Sequence, residues 1–204
     1  MTPGPAEFEA LVNSRKSVRL FSEGPLELEL VDRILSAACQ APSAHNRQPW
    51  RFAVLSEFDA RDQLARAMGD KLRVDRLADG DDPADVKKDV ERSWKRITGA
   101  PVAILVCLTM EDMDDYPDQE RSRAEFRMAV QGVAMAGENL LLAAHAHGLG
   151  ACWMCAPLFA EEVVATAINL PSTWEPQGLV LLGWPAGIGK TRQRRPVDEV
   201  AIYL

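Results

Sequence analysis

Apolar residues recur at helical spacing in several parts of the chain. The clearest pattern follows Pro25, where apolar side chains return every three or four positions over residues 28–38. That helix is expected to end before Pro42, because a proline disfavours helical backbone in the residue that precedes it. Residues 69–96 are polar and charged, and we interpret them as a surface excursion followed by a helix that begins near Pro83. Similar patterns predict helices over residues 5–14, 57–68 and 160–169.

Short apolar runs separate these helices and are typical of buried strands. The run "APVAILVCLT" (residues 100–109) is apolar nearly throughout, as in a strand with both faces covered. Helices that alternate with buried strands predict an α+β fold built in layers. Further β-prone segments are "RFAVL" (51–55), "GACWM" (150–154), "GLVLLGWP" (178–185) and the C-terminal "VAIYL" (200–204).

A long helix is predicted over residues 121–147. From Met128 onward it is apolar nearly all round, so we expect it to be central rather than peripheral, with Gly148 ending it. This segment is too short to span a bilayer, and it contains Gln131 and Glu138.

The composition is that of an ordinary globular chain, with 47% apolar and 26% charged residues among 204. We expect one domain over residues 1–204, or one subunit of an intertwined dimer. The net charge of -7 argues against a nucleic-acid partner, which needs a basic face. The first residues lack the basic and apolar regions of a signal peptide, so the four cysteines are expected to be reduced thiols in the cytoplasm.

Cys152 and Cys155 stand in a C-x-x-C spacing with a tryptophan between them. A thiol redox site would place this pair at the start of a helix, where the dipole lowers the thiol pKa. Here the pair ends a strand-like segment, so this interpretation is the weakest of those retained.

Two other motifs are rejected on spacing. His145 and His147 precede the cysteines, but residues two apart do not share a helix face, and no usual zinc pattern fits, so no metal site is predicted. The segment "GWPAGIGKT" (183–191) resembles a phosphate-binding P-loop, but five residues rather than four separate its outer glycines.

Two compact basic runs stand out in this acidic chain. The first contains Arg15, Lys16 and Arg19, and the second, near the C-terminus, contains Lys190, Arg192, Arg194 and Arg195. Guanidinium groups bind phosphate in bidentate fashion. Between the runs, "PSAHNRQPW" (42–50) offers short polar side chains in a proline-fixed loop, which can hydrogen-bond a planar heteroaromatic ring.

Four segments in order resemble motifs of the nitroreductase family of flavin enzymes. They are "SRKSVRLF", "APSAHNRQPWRF", "GLGACWM" and "RQRRPVDEV". Through "YPD", "GLGACW" and "LPSTWEPQG" the chain is most similar to the reductase domain found with deazaflavin-coenzyme glutamyl ligases. The resemblance implies a central mixed or antiparallel sheet flanked by helices, and an intertwined homodimer with a long central helix that binds FMN at its interface.

The resemblance also implies which residues bind FMN. The phosphate, the ribityl chain and one ring edge would be held by Arg15, Lys16, Ser17 and Arg19, with Arg192 and Arg194 completing the phosphate site. The partner subunit would contribute Pro42, Ser43, Ala44, His45 and Asn46, with Gln48 near the ring. The wall beside the isoalloxazine would be formed by Met154, Cys155 and Ala156.

The implied activity is transfer of hydride from a reduced nicotinamide donor to an electron-poor acceptor by a ping-pong mechanism. No catalytic side chain is predicted, because the flavin itself carries the electrons. Acceptors would be nitroaromatics, quinones or a deazaflavin precursor, and residues 69–99 are expected to line the substrate opening. Two alternatives stay open: a flavin-consuming, ring-cleaving enzyme and a non-catalytic flavin or deazaflavin binder.

Overall fold

In a computed structural model of the chain, residues 4–187, 189 and 191–204 are described. They form six α-helices and four β-strands. The helices are α1 (Pro5–Ser14), α2 (Leu28–Ala38), α3 (Phe58–Ala78), α4 (Pro83–Thr98), α5 (Gln119–Ala146) and α6 (Glu161–Ala167). The strands are β1 (Trp50–Leu55), β2 (Val102–Leu108), β3 (Gly150–Met154) and β4 (Glu175–Gly183).

The four strands form one antiparallel sheet in the order β1-β2-β4-β3. On the edge strand β1, Trp50 pairs with Leu108 of β2. On the opposite edge strand β3, Gly150 pairs with Gly183 of β4. The predicted α+β class with a central sheet flanked by helices is confirmed, and within the described strands the pairing is antiparallel rather than mixed.

Strand β2 is buried along its whole length and divides the core in two. Its even-numbered residues, such as Ile104, pack in a cluster with α2 and α5. Its odd-numbered residues, such as Leu105, pack in a second cluster with α3, α4 and α6. Alternate side chains of a strand point to opposite faces, so the sheet lies between two helical layers.

The predicted surface excursion after residue 68 is wrong, because α3 continues to Ala78. Leu64, Ala65 and Met68 are buried on one side, while ion pairs between side chains three or four positions apart cover the solvated side. The polar stretch is therefore the outer face of a helix. The helix predicted from Pro83 is confirmed as α4, which begins with Asp82 as its N-cap.

Helices α3 and α4 form an antiparallel hairpin tied by polar contacts. Arg76 Nε lies 2.5 Å from Asp81 Oδ2, and its Nη1 lies 2.5 Å from Asp89 Oδ2. Nearer the sheet, Trp94 Nε1 donates to Asp62 Oδ1 over 2.7 Å. These contacts join α3 to α4 and to the loop between them, and so hold the hairpin together.

The C-terminal segment 200–204 forms no strand in the described chain, although its composition is β-prone. None of the four described strands pairs with it, and Ile202, Tyr203 and Leu204 are highly exposed. None of the described helices is long and apolar enough to cross a membrane.

Candidate functional site

The fold brings the N-terminal basic run alongside the edge strand β3. Val18 N–H donates to Ala151 O over 2.9 Å, and Ser17 forms a parallel bridge with Ala151. This pairing extends the sheet by a short segment and fixes the backbone that carries the predicted phosphate-binding side chains.

The same segment also forms backbone hydrogen bonds with the residues that follow β4. Ala186 N–H donates to Leu20 O over 3.0 Å, and Ser22 N–H donates to Trp184 O over 2.9 Å. The end of the first basic run and the start of the C-terminal segment are therefore adjacent, although more than 160 positions separate them in sequence.

A cleft of about 630 Å³ opens where these segments meet. Three arginines reach it from three parts of the chain: Arg19, Arg96 on α4 and Arg192. Among its described lining residues none is acidic, so the cleft is suited to an anion. The lining residues are Ser17, Val18, Arg19, Leu20, Arg96, Gly187, Gly189 and Arg192.

A glycine allows a close backbone approach within this cleft. A Cβ atom at Gly189 would stand 3.1 Å from Lys16 Cβ and 3.2 Å from Ser17 O. The C-terminal segment therefore lies so close to the N-terminal run at this position that a larger residue would have to push its neighbours aside.

Two predicted phosphate ligands occupy a neighbouring crevice rather than the cleft lining. Arg15 and Lys16 line it together with His145, and Arg15 Nε lies 3.6 Å from Glu138 Oε1 of α5. Arg194 is also absent from the described lining, and its Nη1 donates to Arg192 O over 3.5 Å. Lys190 lies outside the described residues.

The predicted ring-binding loop, residues 42–48, is held in a strained conformation. His45, Asn46 and Gln48 have left-handed backbone, with φ of 49°, 55° and 51°. Each such residue costs about 1–3 kcal/mol, and asparagine tolerates it best. Ser43 Oγ accepts the Gln48 N–H over 2.9 Å and helps to hold this shape. Such strain is typical of a segment whose backbone has a functional task.

This loop lies away from the cleft of its own chain. Ser43 contacts α5, where a Cβ at Gly132 would stand 3.4 Å from Ser43 Cβ, and Arg47 forms an ion pair with Asp114. Pro42, His45, Asn46 and Gln48 are exposed, and neither they nor Ser43 and Ala44 belong to the described cleft lining.

The predicted flavin wall lies at the end of β3. Met154 ends the strand, Cys155 is exposed, and Ala156 begins a short 3-10 turn, Ala156–Phe159. Ala156 also lines a recess of about 110 Å³ against Met68, Lys71, Leu72 and Ser93 of the α3–α4 hairpin. Residues 69–99, expected to line a substrate opening, therefore supply one side of a recess at this wall.

The two cysteines of the C-x-x-C spacing lie in different environments. Cys152 is buried, and burial raises the pKa of its thiol, whereas Cys155 is exposed. Thiol exchange requires a thiolate, so the environment of Cys152 opposes redox chemistry. Across the described residues, no group of three or more potential ligand side chains could hold a metal ion.

Arg96 is the cleft residue that the sequence did not reveal. It stands in the charged stretch 83–98, where nothing distinguishes it from its neighbours Arg92 and Lys95. The available signal was the helical period of α4: Ile97 and Trp94 pack in the core, and Arg96 beside them is partly buried.

The sequence profile of the nitroreductase family matches residues 12–184. Among curated relatives, 5,6-dimethylbenzimidazole synthase of Rhodospirillum rubrum is 28% identical over 205 residues, covering 94% of this chain and 85% of the relative. A protein of Methanothermobacter thermautotrophicus in the NADH dehydrogenase/NAD(P)H nitroreductase class is 28% identical over 191 residues, with 93% and 83% covered.

Solved structures agree on the fold. A BluB-like flavoprotein of Clostridium difficile superposes with a TM-score of 0.81 at 22% identity, covering 97% of this chain and 98% of that one. A nitroreductase-type protein of Desulfovibrio desulfuricans, solved in complex with FMN, superposes with a TM-score of 0.72 at 27% identity, covering 100% and 98%. With a family profile that spans most of the sequence and structures that share the whole fold, the chain belongs to the nitroreductase family.

Proposed function

We propose that this chain is an FMN-dependent oxidoreductase that takes hydride from a reduced nicotinamide donor and passes it to an electron-poor acceptor. The observation that carries the proposal is the cleft in which Arg19, Arg96 and Arg192 converge beside β3, in a chain of the nitroreductase family. Relatives that bear the nitroreductase name, and one structure in complex with FMN, support it.

The residues of the cleft fit FMN. Its volume of about 630 Å³ lies in the range of cofactor sites. The three guanidinium groups suit the phosphate and polar edges, and the Ser17 hydroxyl suits the ribityl chain or a phosphate oxygen. Arg15 and Lys16 line the neighbouring crevice and add positive charge. When bound, FMN would supply the chemistry by accepting a hydride and returning it.

The protein would position and shield the ring. The wall beside the ring would be formed by Met154, Cys155 and Ala156. These residues lie at and just beyond the end of β3, past Ala151, where the basic run pairs with the strand, so they would face the ring rather than the phosphate. The recess of about 110 Å³ between Ala156 and the α3–α4 hairpin is smaller than a complete ligand site, so it would contact only part of an aromatic acceptor, next to the Lys71–Asp75 ion pair. Nitroaromatics, quinones or a deazaflavin precursor are the acceptors to test.

We further propose a homodimer in which the loop 42–48 of one subunit completes the site of the other. The loop is shaped and exposed but does not reach its own cleft. Phe126 and Met135 on α5 are exposed apolar side chains, 37% and 39% accessible, on the helix expected at the interface.

The test is anaerobic reduction of the FMN-loaded protein by NADH and by NADPH, followed by addition of menadione or nitrofurazone. Bleaching of the flavin by a nicotinamide and its return on addition of acceptor would support the proposal. Parallel lines in double-reciprocal plots would support the ping-pong order. A flavin that neither nicotinamide reduces would contradict the proposed donor and leave a flavin-binding protein.

A second candidate is the flavin-consuming, ring-cleaving enzyme. The curated relative named 5,6-dimethylbenzimidazole synthase favours it, since the product in that name contains the dimethylbenzene ring that isoalloxazine also has. Aerobic incubation with reduced FMN separates the two candidates. Loss of flavin absorbance with formation of a dimethylbenzimidazole would establish the second candidate, and recovery of intact FMN would exclude it.

A further inference from the structure

A crevice between α5 and the N-terminal basic run contains a histidine that the proposed chemistry does not use. The described residues that line it are Arg15, Lys16, Leu141, His145, Leu149 and Ala151. His145 belongs to the last turn of α5 and is partly buried. It therefore stands directly behind the segment that carries Ser17 and Arg19 into the cleft.

A hydrogen bond joins His145 to the residue that begins this segment. Ser14 Oγ lies 2.8 Å from His145 Nε2. Ser14 Oγ also lies 3.2 Å from Leu11 O, and a hydroxyl that donates to this carbonyl leaves its oxygen to accept from an Nε2–H of the imidazole. A neutral ring with its proton on Nε2 can take a second proton on Nδ1 without losing this bond.

The charged groups that face His145 are cationic. Arg15 and Lys16 approach it from the basic run, and Glu138 on the same helix pairs with Arg15. From β3 and the turn before it, Ala151 and Leu149 contribute only apolar surface. Burial first, and then repulsion from Arg15 and Lys16, lower the pKa of His145 below its ordinary value of 6.5.

We infer that His145 is a positioning residue that couples proton uptake to the binding of a phosphate-bearing cofactor by the basic run. A phosphate bound in the adjacent cleft, beside Ser17 of the same run, offsets part of the positive charge of Arg15 and Lys16 that His145 meets in the free protein. The protonated imidazole then adds a further positive charge behind the phosphate and holds Ser14 in place.

Thermodynamic linkage between proton binding and phosphate binding determines how the affinity for the cofactor changes with pH. If phosphate binding makes His145 easier to protonate, protonation of His145 must strengthen phosphate binding by the same factor. The cofactor is therefore expected to bind more tightly as the pH falls through the range in which His145 titrates. The phosphate of FMN itself loses charge near pH 6 and opposes this trend, so only the comparison with a variant isolates the histidine.

This inference rests on the proposed FMN site, and its test separates the two. Apoprotein is titrated with FMN between pH 5.5 and 8 for the wild type, for His145→Gln and for His147→Gln. His147 is exposed and only two positions away, which makes it the matched control. On going from pH 8 to 5.5, the wild-type Kd for FMN is expected to fall, relative to that of His145→Gln, by about five-fold or more. His147→Gln is expected to follow the wild type.

Riboflavin, which has no phosphate, provides the second comparison. Wild type and His145→Gln are expected to bind it with the same pH profile, and a difference equal to that for FMN would overturn the link to phosphate. Identical FMN profiles for the wild type and His145→Gln would overturn the inference and leave the proposed function intact. Failure of FMN to bind at any pH would overturn both.

Discussion

Trp153 packs directly on Gly137 of α5, where a Cβ atom would stand 2.5 Å from its Cζ3 atom. Gly178 of β4 contacts the same indole through its Cε2 and Cζ2 atoms. The ring therefore lies between a helix and a strand, at two positions where only a hydrogen is accommodated. This packing fixes the strand that carries the proposed flavin wall.

The Gly137→Ala variant is expected to be less stable than the wild type. Alanine gains about 1 kcal/mol over glycine in a helix. Overpacking a filled core costs about 1–3 kcal/mol, so we expect a net loss of stability in urea unfolding monitored by circular dichroism. Gly187→Ala is the control, because a Cβ there meets nothing within 4 Å. Equal midpoints for the two variants would contradict the packing described.

The four cysteines are expected to fall into two classes of reactivity. Cys39 and Cys155 are exposed, whereas Cys107 and Cys152 are buried. Burial raises the pKa of Cys107 to about 12, so its thiolate is scarce near neutral pH. Ellman's reagent should therefore titrate two thiols rapidly in the folded, FMN-free protein and four after denaturation. Rapid reaction of Cys152 would reopen the dithiol interpretation.

Arg96→Gln is expected to weaken FMN binding about ten-fold or more, because it removes a charged donor from the cleft. Lys95→Gln changes the same charge at the next position, but Lys95 is exposed and does not belong to the described lining. It should change the Kd less than two-fold or so, since surface charges are screened. Quenching of FMN fluorescence by the apoprotein measures the Kd of each variant. Equal losses would mean that the cleft binds FMN only through general positive charge.

Met135→Arg is expected to convert a dimer into a monomer, because it places a charge in the apolar face of α5. Val74→Arg provides the control: Val74 is 66% exposed on α3, away from that helix. Sedimentation velocity at micromolar concentration shows whether each variant is a dimer or a monomer. A wild-type protein that is monomeric under these conditions would contradict the proposed homodimer.

Much of the fold could be predicted because its signals are local. The buried run that became β2 and the helical period of α2 depend only on neighbouring residues, and their bounds agree closely with prediction. The length of α3 could not be predicted in this way. Its last turns bury little, and their stability comes from contacts with α4 such as Arg76 to Asp89.

The residues of the candidate site also differ in whether local sequence is enough to predict them. Ser17, Arg19 and Arg192 lie in recognisable basic motifs, and the fold brings them together. The helical period of α4 shows only that Arg96 lies near the buried side of that helix, and its place in the cleft depends on contacts between distant parts of the chain. The part of the site expected from a second subunit depends on contacts between chains, so it remains a prediction for residues 42–46 and 48.

The arginine cleft is proposed to bind FMN. The most direct test is the visible absorption spectrum of the purified protein, with the released chromophore identified by mass. We predict a yellow protein that releases about one FMN per chain. A colourless protein that also fails to bind added FMN would contradict the account and leave a family fold without its flavin chemistry.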